Sequence, residues 1–134
     1  MTKELTMVEK KILVVDDEQA IQTLLKQMFT RSGYEVETAS SGEDALAVLE
    51  ETKIHVMFFD LNLPGLDGID LCRKVKKQIP TAIIYAITGY ASLFELAECR
   101  EAGFEDYFKK PCNIDMLLKA GQSAFEKLER WKKG

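Results

Sequence analysis

"VMFFDLNLPGLDG" (residues 56–68) runs four large apolar side chains into a single carboxylate, Asp60, and then into a loop with one proline and two glycines. An apolar run of this length, closed by Pro and Gly, reads as a short buried strand. Asp60 then stands at the strand's carboxyl end, the end that faces the ligand crevice in an open α/β sheet. Its meaning depends on what else reaches that crevice.

Working outward, strand-like runs alternate with segments of helical period. "KILVVD" (11–16) leads into "EQAIQTLLKQMFTRSG" (18–33), where Ile21, Leu24, Leu25 and Met28 recur at i, i+3, i+4 and i+7 and Gly33 ends the helix. "YEVETA" (34–39) alternates as a strand, and "SSGEDALAVLEE" (40–51) places a Ser cap before Ala45, Leu46 and Leu49. "IHVMFFD" (54–60) is the third strand, and "DGIDLCRKVKKQI" (67–79) the third helix, stopped by Pro80. "TAIIYAIT" (81–88) and "ASLFELAECREAG" (91–103) repeat the pattern, as do "FEDYFKK" (104–110) and "NIDMLLKAGQSAFEKLERW" (113–131). Five consecutive βα units require right-handed crossovers and a parallel sheet covered on both faces. The predicted fold is α/β, a doubly wound five-stranded parallel sheet.

Composition agrees with one such domain. The 134 residues are 46% hydrophobic and 30% charged, an ordinary globular mixture. The predicted organisation is an N-terminal extension over 1–10, a domain over 11–130 and a tail over 131–134. A net charge of −4 opposes a nucleic-acid footprint. No apolar run approaches the roughly 18 residues of a membrane span, and "MTKELTMVEK" lacks a signal peptide's apolar centre, so a cytoplasmic protein is expected. Cys72, Cys99 and Cys112 form no metal-binding or disulfide pattern. Reduced structural thiols are expected, although Cys112 stands near a helix N-terminus, where a thiol's pKa can fall. His55, the only histidine, lies among apolar neighbours and reads as structural. Lys74, Lys76 and Lys77 read as a solvated helix face.

In this architecture the strand ends share one rim. The first strand brings Asp16, Asp17 and Glu18, the third Asp60, the fourth Thr88 and Gly89, and the fifth Lys109, Lys110 and Pro111. Two carboxylates about 4 Å apart repel by about 4 kcal/mol at an effective dielectric near 20, so three acids there need protons or a cation. All-oxygen ligands suit a hard ion such as Mg²⁺. A carboxylate is also a nucleophile for phosphoryl groups, and a rim lysine with Mg²⁺ supplies the positive charge that phosphoryl transfer needs.

Over residues 11 to about 128 the chain resembles the receiver domain of bacterial two-component response regulators, in particular the single-domain, chemotaxis-regulator-like members. The resemblance rests on "VVDDE", "FFDLNLPGLDG", "ITGYAS" and "DYFKKPCN", in that order. It implies a flavodoxin-like (βα)5 fold. Asp60 matches the phosphoacceptor, and Asp16 and Asp17 the acidic pair that, with Asp60 and the backbone carbonyl of Asn62, holds Mg²⁺. Thr88 matches the hydroxyl that turns toward the phosphoryl group, Lys110 the phosphate-binding lysine and Tyr107 the aromatic switch. Lys109 is the poorer choice, since alternation points it to the other face. The family's cis bond before the proline, here Pro111, would aim Lys110 inward. Leu63 and Cys112 replace a common Met and a common aromatic residue, changes that bear on packing.

The resemblance implies a phosphorylation-dependent switch that accepts a phosphoryl group from a sensor histidine kinase or phosphotransfer protein. Such a chain is no enzyme on a separate substrate, but catalyses its own phosphotransfer and dephosphorylation. The expected output is a changed surface on the fourth helix, fifth strand and fifth helix, where Phe94, Leu96, Tyr107 and Phe108 offer apolar material to a protein target or a second copy. With the last helix ending near residue 130 and the charge negative, direct DNA binding is not expected. Three alternatives carry less. A haloacid-dehalogenase-type phosphatase requires Asp-x-Asp after the first strand, and a flavodoxin-type cofactor binder requires phosphate-cradling Ser, Thr or Gly there. A non-phosphorylated scaffold would have no use for the intact set of site residues.

Overall fold

The computed structural model describes residues 10–133. The extension expected over 1–10 therefore lies outside it but for Lys10. The elements run β1 (Lys11–Val15), α1 (Gln19–Arg31), β2 (Glu35–Ala39), α2 (Gly42–Glu51), β3 (Val56–Asp60), α3 (Gly68–Gln78), β4 (Ile83–Thr88), α4 (Leu93–Ala102), β5 (Asp106–Lys109) and α5 (Ile114–Lys133). The strands form one sheet in the order β2-β1-β3-β4-β5, and every neighbouring pair is parallel. This is the doubly wound α/β sheet that the alternation predicts.

Alternation along each strand sends side chains to two cores. Ile12, Val14, Val56 and Phe58 face α1 and α5, meeting Leu25, Phe29, Leu117 and Phe125. Leu13, Val15, Met57 and Phe59 face α2, α3 and α4, meeting Ala45, Leu71, Val75 and Cys99. Every residue of β3 and β4 is buried, as a parallel sheet covered on both faces demands. Each fully buried Leu, Ile or Phe stabilises the fold by roughly 1.5–3 kcal/mol.

The strands are shorter than their apolar runs. β3 begins at Val56 rather than Ile54, and β5 covers only Asp106–Lys109 at the sheet edge. In α1 the buried stripe is Gln22, Leu25, Met28 and Phe29, and Leu24 is 41% exposed. The apolar period located the helix but set its inner face one position off. Lys76 donates to the carbonyls of Pro80 and Ala82, tying down the end of α3 instead of joining a solvated face. The last helix continues through Lys133, beyond the expected end near 130.

The order of strands positions the site. From β1 the chain first turns one way, to β2, and then crosses β1 to reach β3 on its other side. Loops leaving β1 and β3 therefore diverge, opening a crevice at their carboxyl ends.

Candidate functional site

Asp16 and Asp60 emerge from the buried ends of β1 and β3 and are 1% and 4% exposed. Asp17, one residue further along its loop, is exposed. Oxygens of the three carboxylates lie within 4.8 Å of one another. The loops are held in place by their own backbone. The Glu18 N–H donates to Asp16 Oδ1 at 2.8 Å, and the Asn62 N–H to Asp60 Oδ1 at 3.0 Å. The Leu61 N–H donates to the Ile87 carbonyl, and the Gly68 N–H returns to the Leu61 carbonyl at 3.1 Å.

Glycines shape the loop after β3. Gly65 sits at φ +70, the left-handed region that favours glycine. At Gly68 the reason is space, since an added Cβ would strike the Asp60 carbonyl oxygen and crowd Leu61 Cα at 2.8 Å. Helix α3 packs against the backbone of the acid it follows. Asp67 caps that helix by accepting from the Asp70 N–H at 2.9 Å.

Lys110 reaches the acids from the opposite wall. Its N–H donates to the Thr88 carbonyl at 2.8 Å, and the bond to Pro111 is cis. Its Nζ lies 2.8 Å from Glu18 Oε1, 3.1 Å from Asp16 Oδ2 and 3.3 Å from Asp60 Oδ2. The approach to Asp16 is close enough for an ion pair but lacks the angle of a hydrogen bond, so Asp16 Oδ2 is a buried oxygen without a hydrogen-bond donor. Burial pushes the Asp16 carboxyl above the ordinary aspartate value, against the Glu18 N–H and Lys110, which pull it down. For Lys110 burial acts to lower the pKa, but the hydrogen bond to Glu18 and the close carboxylates of Asp16 and Asp60 outweigh it and raise it. Lys109 is exposed and takes no part.

Thr88 is wholly buried at the end of β4. Its Oγ1 donates to the Tyr90 carbonyl at 2.7 Å and accepts from the Tyr90 N–H at 3.2 Å. Tyr107 is 43% exposed on β5. A groove of about 560 Å³ opens beside Asp17 and Asn62, while a second of about 1160 Å³, lined by Tyr34, Phe125 and Trp131, includes none of these residues.

The site also contains side chains not singled out from the sequence. Gln22, buried in α1, donates to the Asp16 carbonyl at 2.6 Å and to Ser40 Oγ at 3.0 Å, joining the loops after β1 and β2. Its sign in the sequence is a polar residue on the stripe of Leu25 and Phe29. Glu18 was visible only as a third acid. Cys112 is half-buried, and burial raises its thiol pKa despite nearby Lys110, the direction of a structural thiol rather than an activated one.

The donor set fits a hard divalent cation: three converging carboxylates, one buried oxygen lacking a donor, and no sulfur or imidazole among them. Residues 12–122 match the response regulator receiver domain family. The chain belongs to that family. This receiver domain is similar to a CheY-like receiver domain protein from Methanospirillum hungatei JF-1, with 36% identity, a TM-score of 0.87, and coverage of 94% of this chain and 99% of that one. It is 32% identical to sporulation initiation phosphotransferase F of Bacillus subtilis, covering 85% of this chain and 92% of the relative. It is 44% identical to the alkaline phosphatase synthesis transcriptional regulatory protein PhoP of Bacillus subtilis, over 76% of this chain but only 42% of that protein. Receiver domains interact with histidine kinases or phosphotransfer proteins in two-component signalling. Among the described residues, no helix is long and apolar enough to cross a membrane.

Proposed function

We propose that this receiver domain is a phosphorylation-dependent switch with Asp60 as phosphoacceptor, receiving its phosphoryl group from a phosphohistidine on a kinase or phosphotransfer protein. One observation carries the reading: Asp60 lies buried at the crevice between the Asp16–Asp17 pair and the Lys110 ammonium. An Asp60 carboxylate oxygen attacks phosphorus, and the P–N bond breaks with its electron pair left on the imidazole nitrogen. Hydrolysis by water returns the carboxylate and releases inorganic phosphate. Lys110 orients and neutralises the phosphoryl oxygens. Asp16, Asp17, Asp60 and the Asn62 carbonyl would hold Mg²⁺, which supplies further positive charge to those oxygens when bound.

Output passes through Thr88. A phosphoryl group adds about −1.5 to −2 charge and new acceptor oxygens, which draw the Thr88 hydroxyl from Tyr90. Tyr107 then fills the vacated space, and the α4-β5-α5 surface changes for a protein target or a second copy. Of the apolar residues expected there, Phe94 and Tyr107 are 74% and 43% exposed while Leu96 and Phe108 are half-buried, and Leu93, 86% exposed, joins that surface. The negative net charge supports a protein output over a DNA one.

Acetyl phosphate with Mg²⁺ tests the acceptor by intact mass: the chain should gain about 80 Da, one phosphoryl group, and Asp60→Asn should gain nothing. An equal gain in the variant removes Asp60 from the role. Thr88→Ala should still accept phosphate yet leave NMR shifts on α4 and β5 near their unphosphorylated values; wild-type shifts in that variant would sever the coupling.

A further inference from the structure

The carboxylate nearest Lys110 Nζ is not Asp60 but Glu18, at 2.8 Å against 3.3 Å. Glu18 occupies the N-cap position of α1, yet its side chain makes no capping hydrogen bond. It reaches instead across the rim to a residue 92 positions away in the chain. The Glu18 side chain is 60% exposed, that of Lys110 18% and that of Asp60 5%. Glu18 therefore holds the ammonium from its solvent side, and Asp60 from its buried side.

Two demands then fall on one ammonium. A phosphoryl group brings three acceptor oxygens, and the lysine has three N–H donors on a flexible stem. Every donor held by Glu18 is withheld from phosphate. Charge acts in the same direction, because Asp16, Glu18 and Asp60 surround one ammonium at the mouth of the site and Asp17 adds a further carboxylate beside Asp16 and Asp60. Removing Glu18 reduces the repulsion met by an anionic phosphoryl donor and frees Lys110 to meet it.

Resting on the reading of Asp60 as acceptor, we propose that Glu18 is a positioning residue that latches Lys110 in the unphosphorylated state and thereby limits how fast anionic phosphoryl donors react at Asp60. No bond is made or broken at Glu18. It acts through Lys110.

The test uses the full chain, saturating Mg²⁺ and acetyl phosphate, with the phosphorylation rate of wild type, Glu18→Gln and Glu18→Asp followed by mass. At low salt Glu18→Gln should react about threefold to tenfold faster, a modest case of electrostatic control of encounter. The ratio should fall toward one as salt near 1 M shrinks the screening length to about 3 Å. Glu18→Asp keeps the charge but is one methylene too short for the contact, so it should be faster than wild type and slower than Glu18→Gln. In a separate NMR measurement without donor, the Lys110 ammonium should exchange with water faster in both variants. An unchanged or slower rate in Glu18→Gln, a ratio independent of salt, or an unmoved Lys110 signal overturns the latch. Modification that persists in Asp60→Asn overturns the acceptor assignment instead, and the donor-free Lys110 signal then still decides whether Glu18 holds the ammonium.

Discussion

Asp16 is the residue whose setting says most about the site. Its Oδ2 is buried without a hydrogen-bond donor, and burial raises its carboxyl pKa although the Lys110 ammonium lies 3.1 Å away, a lysine it shares with Glu18 and Asp60. Asp17 and Asp60 add repulsion. A cation bound to the cluster stabilises the folded chain by mass action, about 2.7 kcal/mol at a hundred times its dissociation constant. Asp17→Ala is expected to weaken Mg²⁺ binding while leaving the metal-free protein as stable as wild type or more so, because one repelling charge is gone. Urea unfolding with and without Mg²⁺ measures both effects. A wild-type Mg²⁺ increment in the variant would remove Asp17 from the ligand set.

At the scale of elements, the loop between β3 and α3 is built by close approach. Gly68 begins α3 with its Cα against the Asp60 backbone, and Leu61, Leu63 and Leu71 pack beside it in one core. Gly68→Ala must push the helix off the strand end, an overpacking cost of typically 1–3 kcal/mol. Because the atom struck belongs to Asp60 itself, the phosphorylation rate should fall along with stability. A variant as stable and as reactive as wild type would mean that α3 can shift freely. Departures from common family residues are absorbed at this scale too: Leu63 is 7% exposed in one core, and Cys112 packs, half-buried, against the other.

For the whole molecule, burial of neutral titrating groups sets an alkaline limit. Burial pushes the Tyr85 hydroxyl, which donates to the Ala120 carbonyl at 3.0 Å, from 10.0 to about 12, and the Cys72 thiol from 9.0 to about 12. Folded values above unfolded ones mean stability fully present below the unfolded pKa and lost as pH rises through the folded one. For Tyr85 that window is pH 10 to about 12 and the loss is on the order of 2 kcal/mol. Tyr85→Phe should cost about 1 kcal/mol at neutral pH through its lost hydrogen bond and decline less steeply above pH 10. Chemical denaturation at stepped pH reads both. A decline as steep as wild type's would assign the loss to other groups, Cys72 among them.

The sequence by itself determined the class of fold, because alternating apolar runs and helical periods are local properties that five βα units can satisfy in few ways. It also placed Asp16, Asp60, Thr88 and Lys110 on one rim, since strand ends in a parallel sheet point the same way. Helix faces were less legible. Gln22 is buried and Leu24 exposed in α1, because the inner stripe depends on where the helix docks as well as on its hydrophobic period. Only the tertiary structure decided that β1 lies between β2 and β3, that Gly68 touches Asp60, and that Lys110 is nearest to Glu18. Those contacts join residues far apart in the chain. Their geometry comes from packing two cores on the two faces of one sheet, which no local pattern encodes.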